Sequence, residues 1–328
     1  MRSDARRTPV GRAGRGVSRA VAERWIDAYG WARRRDHRVL AHLLGRTRRL
    51  LVPIFDPEIE FELGPGRRLV LPFSHDLPFI RADHPGYAEN LRRVLWFLAD
   101  RRDGAVMVDV GANVGDSVVL CHRDDVTIVA VEGLADFHEL CRRNTADLAS
   151  VLAVRATVGR AGESLSYEAA WGTAGTRPGD GGERAVDLAG VLADLGVGAC
   201  DLVKIDTDGH DGEILLASRE WIAETAPVLF FEYDPALHAG STPLVEVVQL
   251  LAGGGHDKGL VYDETGALVG AGRIAELIGD LDAYLRRRGR GYWDICLLPD
   301  DDLFAALAEH ERALGVPVPV GDSPAGRR

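Results

Sequence analysis

The sequence predicts an α/β fold, a doubly wound, mostly parallel sheet preceded by an N-terminal helical and β-hairpin extension. Three observations carry that expectation. From Ala105 onward, short apolar runs of strand length alternate with amphipathic stretches of helical length. The runs are apolar on both faces, as strands covered by helices on both sides must be. The first of them leads into a glycine-rich turn that opens a helix, and in doubly wound sheets that turn lies at the carboxyl edge, where ligands bind.

Taken in order, residues 1–18 are rich in Arg, Gly and Ser and nearly free of apolar side chains, which predicts a mobile tail. Residues 21–51 read as helical, with Trp25, Ile26, Tyr29, Val39, Leu40, Leu43 and Leu44 among arginines. Such a stretch can touch a membrane or an acidic partner, but it is read as a solvated helix covering the domain. Residues 59–63 and 67–73, on either side of Gly64-Pro-Gly66, predict a hairpin, 78–85 a loop, and 86–99 a helix burying Tyr87, Leu91, Val94, Leu95 and Leu98. Strands are predicted at 105–110, 126–131, 151–158, 202–205 and 228–231, with helices after Gly115, Ala135 and Gly212. Residues 159–182, which include Trp171, predict a long loop or hairpin, and 259–262, 267–269 and 293–298 short strands. The expected divisions are a tail (1–18), the extension (19–104), the sheet domain (105–300), and a C-terminal helix with a disordered tail (301–328).

With 328 residues, 46% of them hydrophobic, the chain can build one α/β domain and its extension. The net charge of -11 is uneven: residues 1–50 hold 14 arginines against 4 carboxylates, so the body is acidic. That argues against a broad nucleic-acid footprint and suits a cationic or neutral ligand. Cys121, Cys141, Cys200 and Cys296 form no C-x-x-C pair and lie in apolar stretches, which predicts reduced thiols. No apolar run follows the basic N-terminus as in a secretory signal, and none is long enough to span a membrane, so a cytoplasmic location is expected.

The chemistry concentrates in a few motifs. Val108-Asp-Val-Gly-Ala-Asn-Val-Gly115 is the strand and turn, in which Gly111 and Gly115 permit a sharp reversal and close approach of a ligand. A dinucleotide site would place pyrophosphate there and usually has glycine where this chain has Asn113. Asp109 and Asp116 flank that position and would repel it, by about 4 kcal/mol per pair of unit charges at about 4 Å and an effective dielectric of about 20. A ligand bearing an ammonium and a sulfonium reverses the sign, and S-adenosylmethionine carries both and no phosphate. Glu132 closes the second strand 21 residues after Gly111, the place of an acidic residue that accepts ribose hydroxyls; the alternative is a solvated glutamate at a strand end.

Asp206 ends the fourth strand, followed by Asp208, His210, Asp211 and Glu213. So many oxygens suit a divalent metal, but the preferred reading puts Asp206 at the reaction site and leaves 208–211 to cap the next helix, with His210 a cap, a surface residue or a base. Glu232 emerges from the apolar fifth strand and is expected to face the same crevice, its alternative being an ion pair with an arginine.

Together these segments resemble the FkbM family of class I methyltransferases. The carrying residues are the 108–115 turn, Glu132, the helix from Phe137 to Asn144 with Leu140, the 201–213 phrase through Lys204-Ile-Asp206, and Pro227-Val-Leu-Phe-Phe-Glu232. The resemblance covers residues 105–232 and weakens toward 298. It implies a Rossmann-like seven-stranded sheet, S-adenosylmethionine as methyl donor, and O-methylation of a sugar, polyketide or other secondary metabolite. Two departures stand out: Asp206-Thr-Asp-Gly-His-Asp211 replaces the family's Asp-Val-Glu-Gly-x-Glu, and Gly133 replaces a proline.

Methyl transfer to a hydroxyl of a small-molecule acceptor needs alignment and a group that takes the proton, for which Asp206, Glu232 and His210 are the candidates. Asp109, Gly111, Asn113, Gly115, Asp116 and Glu132 are the candidate cofactor residues, with no metal favoured. An NAD-dependent oxidoreductase and a non-catalytic cofactor-binding module are the competing readings.

Overall fold

The computed structural model describes residues 12–179, 181–238 and 240–315. These fall into two compact units, divided after Asp83. The tails expected at residues 1–11 and 316–328 lie outside the described residues.

The first unit comprises α1 (Arg12–Arg34), α2 (Arg38–Leu51), the hairpin β1 (Glu58–Gly64) and β2 (Arg67–Pro72), and α3 (Leu77–Asp83). Helix α1 thus begins inside the stretch expected to be a tail. The helix expected over 21–51 is broken before α2, where Asp36 takes φ 54°, a left-handed conformation that Asp tolerates better than most residues. The expected loop at 78–85 is instead largely helical, because Pro78 falls in the first turn of α3, where its missing N–H costs nothing. Tyr29 packs on Phe79 at 4.6 Å and donates to Asp83. The apolar residues of α2 do not all turn inward as expected: Ala41 is buried while Val39, Leu40 and Leu43 are exposed.

The second unit starts with α4 (Glu89–Ala99), which therefore belongs with the sheet. There follow β3 (Val106–Val110), α5 (Asp116–Cys121), β4 (Thr127–Glu132), α6 (Ala135–Asn144) and β5 (Val151–Arg155). Then come β6 (Ser164–Ala170), β7 (Thr173–Pro178), β8 (Glu183–Arg184), α7 (Leu188–Asp194), β9 (Leu202–Ile205), α8 (Asp211–Ala217), α9 (Arg219–Thr225) and β10 (Val228–Tyr233). The chain closes with α10 (Leu244–Gly253), β11 (Lys258–Tyr262), β12 (Leu268–Arg273), α11 (Ile274–Arg288), β13 (Trp293–Leu298) and α12 (Asp301–Leu314).

The main sheet runs β5-β4-β3-β9-β10-β13-β11-β12. Neighbours from β5 to β10 are parallel, whereas β13 is antiparallel to both β10 and β11. It has eight strands where seven were expected, because β12 folds back on β11 as an edge hairpin. Residues expected as a loop or hairpin at 159–182 supply β6 and β7, which with β8 form a separate three-stranded sheet. The doubly wound architecture follows from the two-sided apolar strands: Val108, Val203, Phe231 and Ile295 join the core under α7, α8, α10 and α11, while Met107, Leu202, Phe230 and Cys296 join the core under α4 and α5.

Candidate functional site

Strand alternation decides which polar residues can meet a ligand. On β3, Asp109 follows the parity of Met107 and so faces the α4 and α5 side, and on β9, Lys204 follows Leu202 to the same side. The two are register partners, and the Lys204 ammonium lies 2.9 Å from Asp109 Oδ1. Ser117 of α5 donates to the other Asp109 oxygen. Burial alone would lower the Lys204 pKa, but Asp109, Asp206 and Asp116 more than offset it and hold the ammonium charged. Asp109 is 0% exposed, which corrects the expectation that it touches the cofactor: it anchors the turn from beneath.

The turn itself is as the glycines predict. Gly111 has φ +81°, and a Cβ there would fall 1.9 Å from the Asp206 carbonyl oxygen, so the turn can cross the end of β9 only with glycine. Asn113 adopts φ 50°, and its side chain donates to Gly172 O at 2.7 Å. Gly115, φ +86°, starts α5, with Cys141 Sγ 3.2 Å from where a Cβ would sit. Glu132 closes β4 with Oε1 accepting from Leu134 N at 2.7 Å and Oε2 from Asn113 N at 2.9 Å. Burial raises its pKa and these two N–H groups pull it back. The carboxyl is thus held rigidly at the lip of the turn, each oxygen retaining acceptor capacity.

A second polar row lies toward the carboxyl edge on the same face. Asp206 follows Ile205, the partner of Phe231, so it stands beside Glu232, and Glu232 is the register partner of Asp294 on β13. Asn90 of α4 donates to Asp294 Oδ2 at 2.7 Å. Burial, then Asp206, Asp211 and Asp294, push Glu232 well above the usual carboxylate range. Burial and Asp206 raise Asp294 to about 7 against the Asn90 hydrogen bond, and burial with Asp109 raises Asp116 to about 6 against Lys204. The half-buried Tyr87 and Tyr292 hydroxyls share this negative field, and desolvation with the neighbouring carboxylates holds them protonated.

His210 is not part of that row. It is 3% exposed, its charged neighbours are Glu163, Glu213 and His238, and burial lowers its pKa. Among the described residues its Nε2 has no hydrogen-bond partner, and it lies 3.2 Å from where a Gly159 Cβ would be. Asp211 accepts from Thr207 N at 3.0 Å and Gly209 N at 3.2 Å, so it fastens the β9–α8 loop rather than capping α8, while Asp208 accepts from Ala174 N at 3.0 Å. Among the described residues, no three His, Cys, Asp or Glu side chains are arranged to hold a metal.

The Glu132 end of the cleft is roofed by the β6–β7 hairpin. Tyr167 Oη lies 2.8 Å from Thr157 Oγ1, and a Cβ on Gly133 would sit 1.7 Å from that hydroxyl. Glycine at 133, where the resembled family has proline, is therefore what lets Tyr167 in. Beneath the hairpin, a cavity of about 40 Å³ remains, touching Gly111, Glu132, Asp206 and His210. A larger cavity, about 500 Å³, lies at the opposite end of the strands, beside Arg101, Asp201, Val228 and Asp300; doubly wound sheets bind their ligands at the carboxyl edge, not there.

Asp294, Asn90 and Tyr292 are absent from the sequence-level candidates. Asp294 carries the signal that singled out Glu232, a lone carboxylate in an apolar strand, but its place beside Glu232 depends on β13 inserting antiparallel next to β10.

No family model matches this sequence, and no curated protein matches it. Solved structures similar to it include a methyltransferase FkbM from Methylobacillus flagellatus KT, at 16% identity, covering 63% of this chain and 47% of that one with a TM-score of 0.36. An O-methyltransferase from Bacillus cereus in complex with SAH matches at 11% identity over 63% of this chain and 80% of its own, TM-score 0.35. A precorrin-6y C5,15-methyltransferase from Geobacter metallireducens GS-15 matches at 15% over 64% and 88%, TM-score 0.35. Likeness this slight leaves the chemistry to be read from the chain's own residues.

Proposed function

We propose that this chain is an S-adenosylmethionine-dependent methyltransferase of the class I type, FkbM-like, acting on a hydroxyl of a small molecule such as a sugar, polyketide or other secondary metabolite. The observation that carries the reading is the acidic lining of the cleft: the carboxyls of Asp116, Asp206, Glu232 and Asp294 gather there, where burial and their own clustering raise the pKa of Asp116, Glu232 and Asp294, while Lys204 is spent on Asp109 and Asp206. Pyrophosphate would meet that field with the wrong sign, and a sulfonium with an ammonium meets it with the right one. The sheet also leaves the all-parallel 3-2-1-4-5-6 dinucleotide order at its sixth position, where β13 is antiparallel, which disfavours the oxidoreductase reading. The four cysteines, all buried, support a reducing cytoplasmic setting.

The residues fit the donor in chemistry. Glu132 would take the ribose hydroxyls on its two fixed oxygens, Gly111 and Asn113 would admit the backbone-facing side, and Asp116 and Asp206 would meet the positive groups. Space requires movement: a nucleoside needs a pocket of about 300 Å³ or more, so the hairpin β6–β7 must lift from Asn113, Asp208 and Thr157. When bound, the donor supplies an electrophilic methyl group. The chain's part is alignment and proton handling, with Glu232 accepting the hydroxyl proton and Tyr87 and Tyr292 excluding water. The non-catalytic alternative predicts binding without turnover.

Calorimetric titration with S-adenosylmethionine and with NAD tests the reading. Saturable binding of the sulfonium donor with no NAD binding is expected; NAD binding without it, or binding of neither, overturns the proposal.

A further inference from the structure

Helix α2 packs Ala41 and Leu44 inward, yet it also buries one arginine and leaves a row of aliphatic side chains outside. Arg48 faces inward, 3% exposed, where Nε donates to Phe73 O at 3.0 Å, Nη2 to Ser74 O at 2.5 Å, Nη1 pairs with Asp76, and the guanidinium stacks 4.1 Å over Phe79. These contacts fix the rotation of the helix. The opposite side then carries Val39, Leu43 and Leu50 at 76%, 56% and 76% exposure, with Arg46 completing the i, i+4, i+7, i+11 row and Ile54, 84% exposed, just beyond the helix end. Arg38, His42 and Arg49 lie along one flank, and Trp31, stacked on His37 at 5.0 Å, is exposed at the turn between α1 and α2.

A helix that merely covers a core would bury its leucines and expose its arginines. Here Val39, Leu43 and Leu50 are outside, interleaved with cations. Residues 1–50 hold 14 arginines against 4 carboxylates in a chain of net charge -11, so an anionic surface attracts this segment. Among the described residues, no helix is long and apolar enough to cross a membrane, which leaves docking in the plane of the interface: aliphatic tips in the acyl boundary, arginines at the headgroups, Trp31 beside them.

We infer that the exposed face of α2 is a docking surface for an anionic lipid bilayer. The inference stands on the first unit alone and is independent of the methyl-transfer reading. The test is co-sedimentation of the full chain with vesicles of phosphatidylglycerol and phosphatidylcholine at about 3:7, against pure phosphatidylcholine. Binding to the anionic vesicles alone is expected, weakening as salt rises. The exposed substitutions Leu43→Glu with Leu50→Glu should lower the partition coefficient about tenfold or more, and Arg46→Glu by a smaller factor, each with an unchanged circular dichroism spectrum. Absence of sedimentation with anionic vesicles overturns the inference. So does equal binding to neutral vesicles, or a concentration-dependent dimer that the same leucine changes dissociate while vesicle binding is absent, since the occupant would then be a second copy.

Discussion

In the half of the cleft built on β3 and β4, Glu132 rests with both oxygens on backbone N–H groups, and Asp109 is locked between Lys204 and Ser117. In the half built on β9, β10 and β13, Glu232 and Asp294 oppose each other across adjacent strands; Asn90 donates to one of them, and among the described residues Glu232 has no hydrogen-bond or ion-pair partner. Like charges directly opposite in a sheet are destabilising, so the second half keeps its carboxyls protonated more readily and free to exchange a proton. The first half offers fixed acceptor geometry, and the second offers groups whose protonation can change in use. That division is what a cofactor side and a reaction side require.

The comparison breaks most completely at Gly111. Gly111→Ala places a Cβ against the Asp206 carbonyl at a positive φ, which should cost about 3 kcal/mol or more and abolish cofactor binding. Thermal unfolding and calorimetry measure both effects; a stable, binding-competent Ala variant would refute the account of the turn.

The two halves should next separate by function. Glu232→Gln is expected to lower methyl transfer by about 10²–10⁴-fold while leaving cofactor affinity nearly unchanged. Glu132→Gln is expected to do the reverse, weakening cofactor binding while the rate at saturating cofactor changes little. If both variants lost affinity equally, the division of labour would be wrong.

The smallest effect is on stability against pH. Asp294 and Asp211 at about 7, and Asp116 and Asp208 at about 6, are raised above their unfolded values. The folded state therefore binds more protons than the unfolded one between about pH 4 and pH 7, and stability should fall as pH rises through that window. The melting temperature should decline by a few degrees from about pH 5 to pH 8, and Asp294→Asn should flatten the slope. An increase in melting temperature over that range would contradict the raised pKa values of these carboxyls.

Much of this was legible before any coordinates. The alternation from Ala105 onward and the glycine turn were visible because strand parity and positive-φ turns leave local marks. Glu132 and Glu232 were visible because a carboxylate ending an apolar strand is costly unless it has work to do. Asp109 misled for the same reason: parity puts it beneath α5, and its partner Lys204 lies 95 residues away in register on β9. His210 sits in the same short phrase as Asp206, yet the loop fastened by Asp211 turns it toward Gly159 and away from Glu232.

By itself, the sequence determined the α/β class, the turn between β3 and α5, and the acidic character of its surroundings, since these depend on period, glycine and charge. Only the tertiary structure decided that β13 would bring Asp294 beside Glu232, that Tyr167 would fill the space Gly133 leaves, and that Arg48 would turn inward and leave Leu43 and Leu50 of α2 outside. Pairings across distant strands and the rotation of a helix are set by packing energies summed over the whole fold, and no local stretch of sequence records that sum.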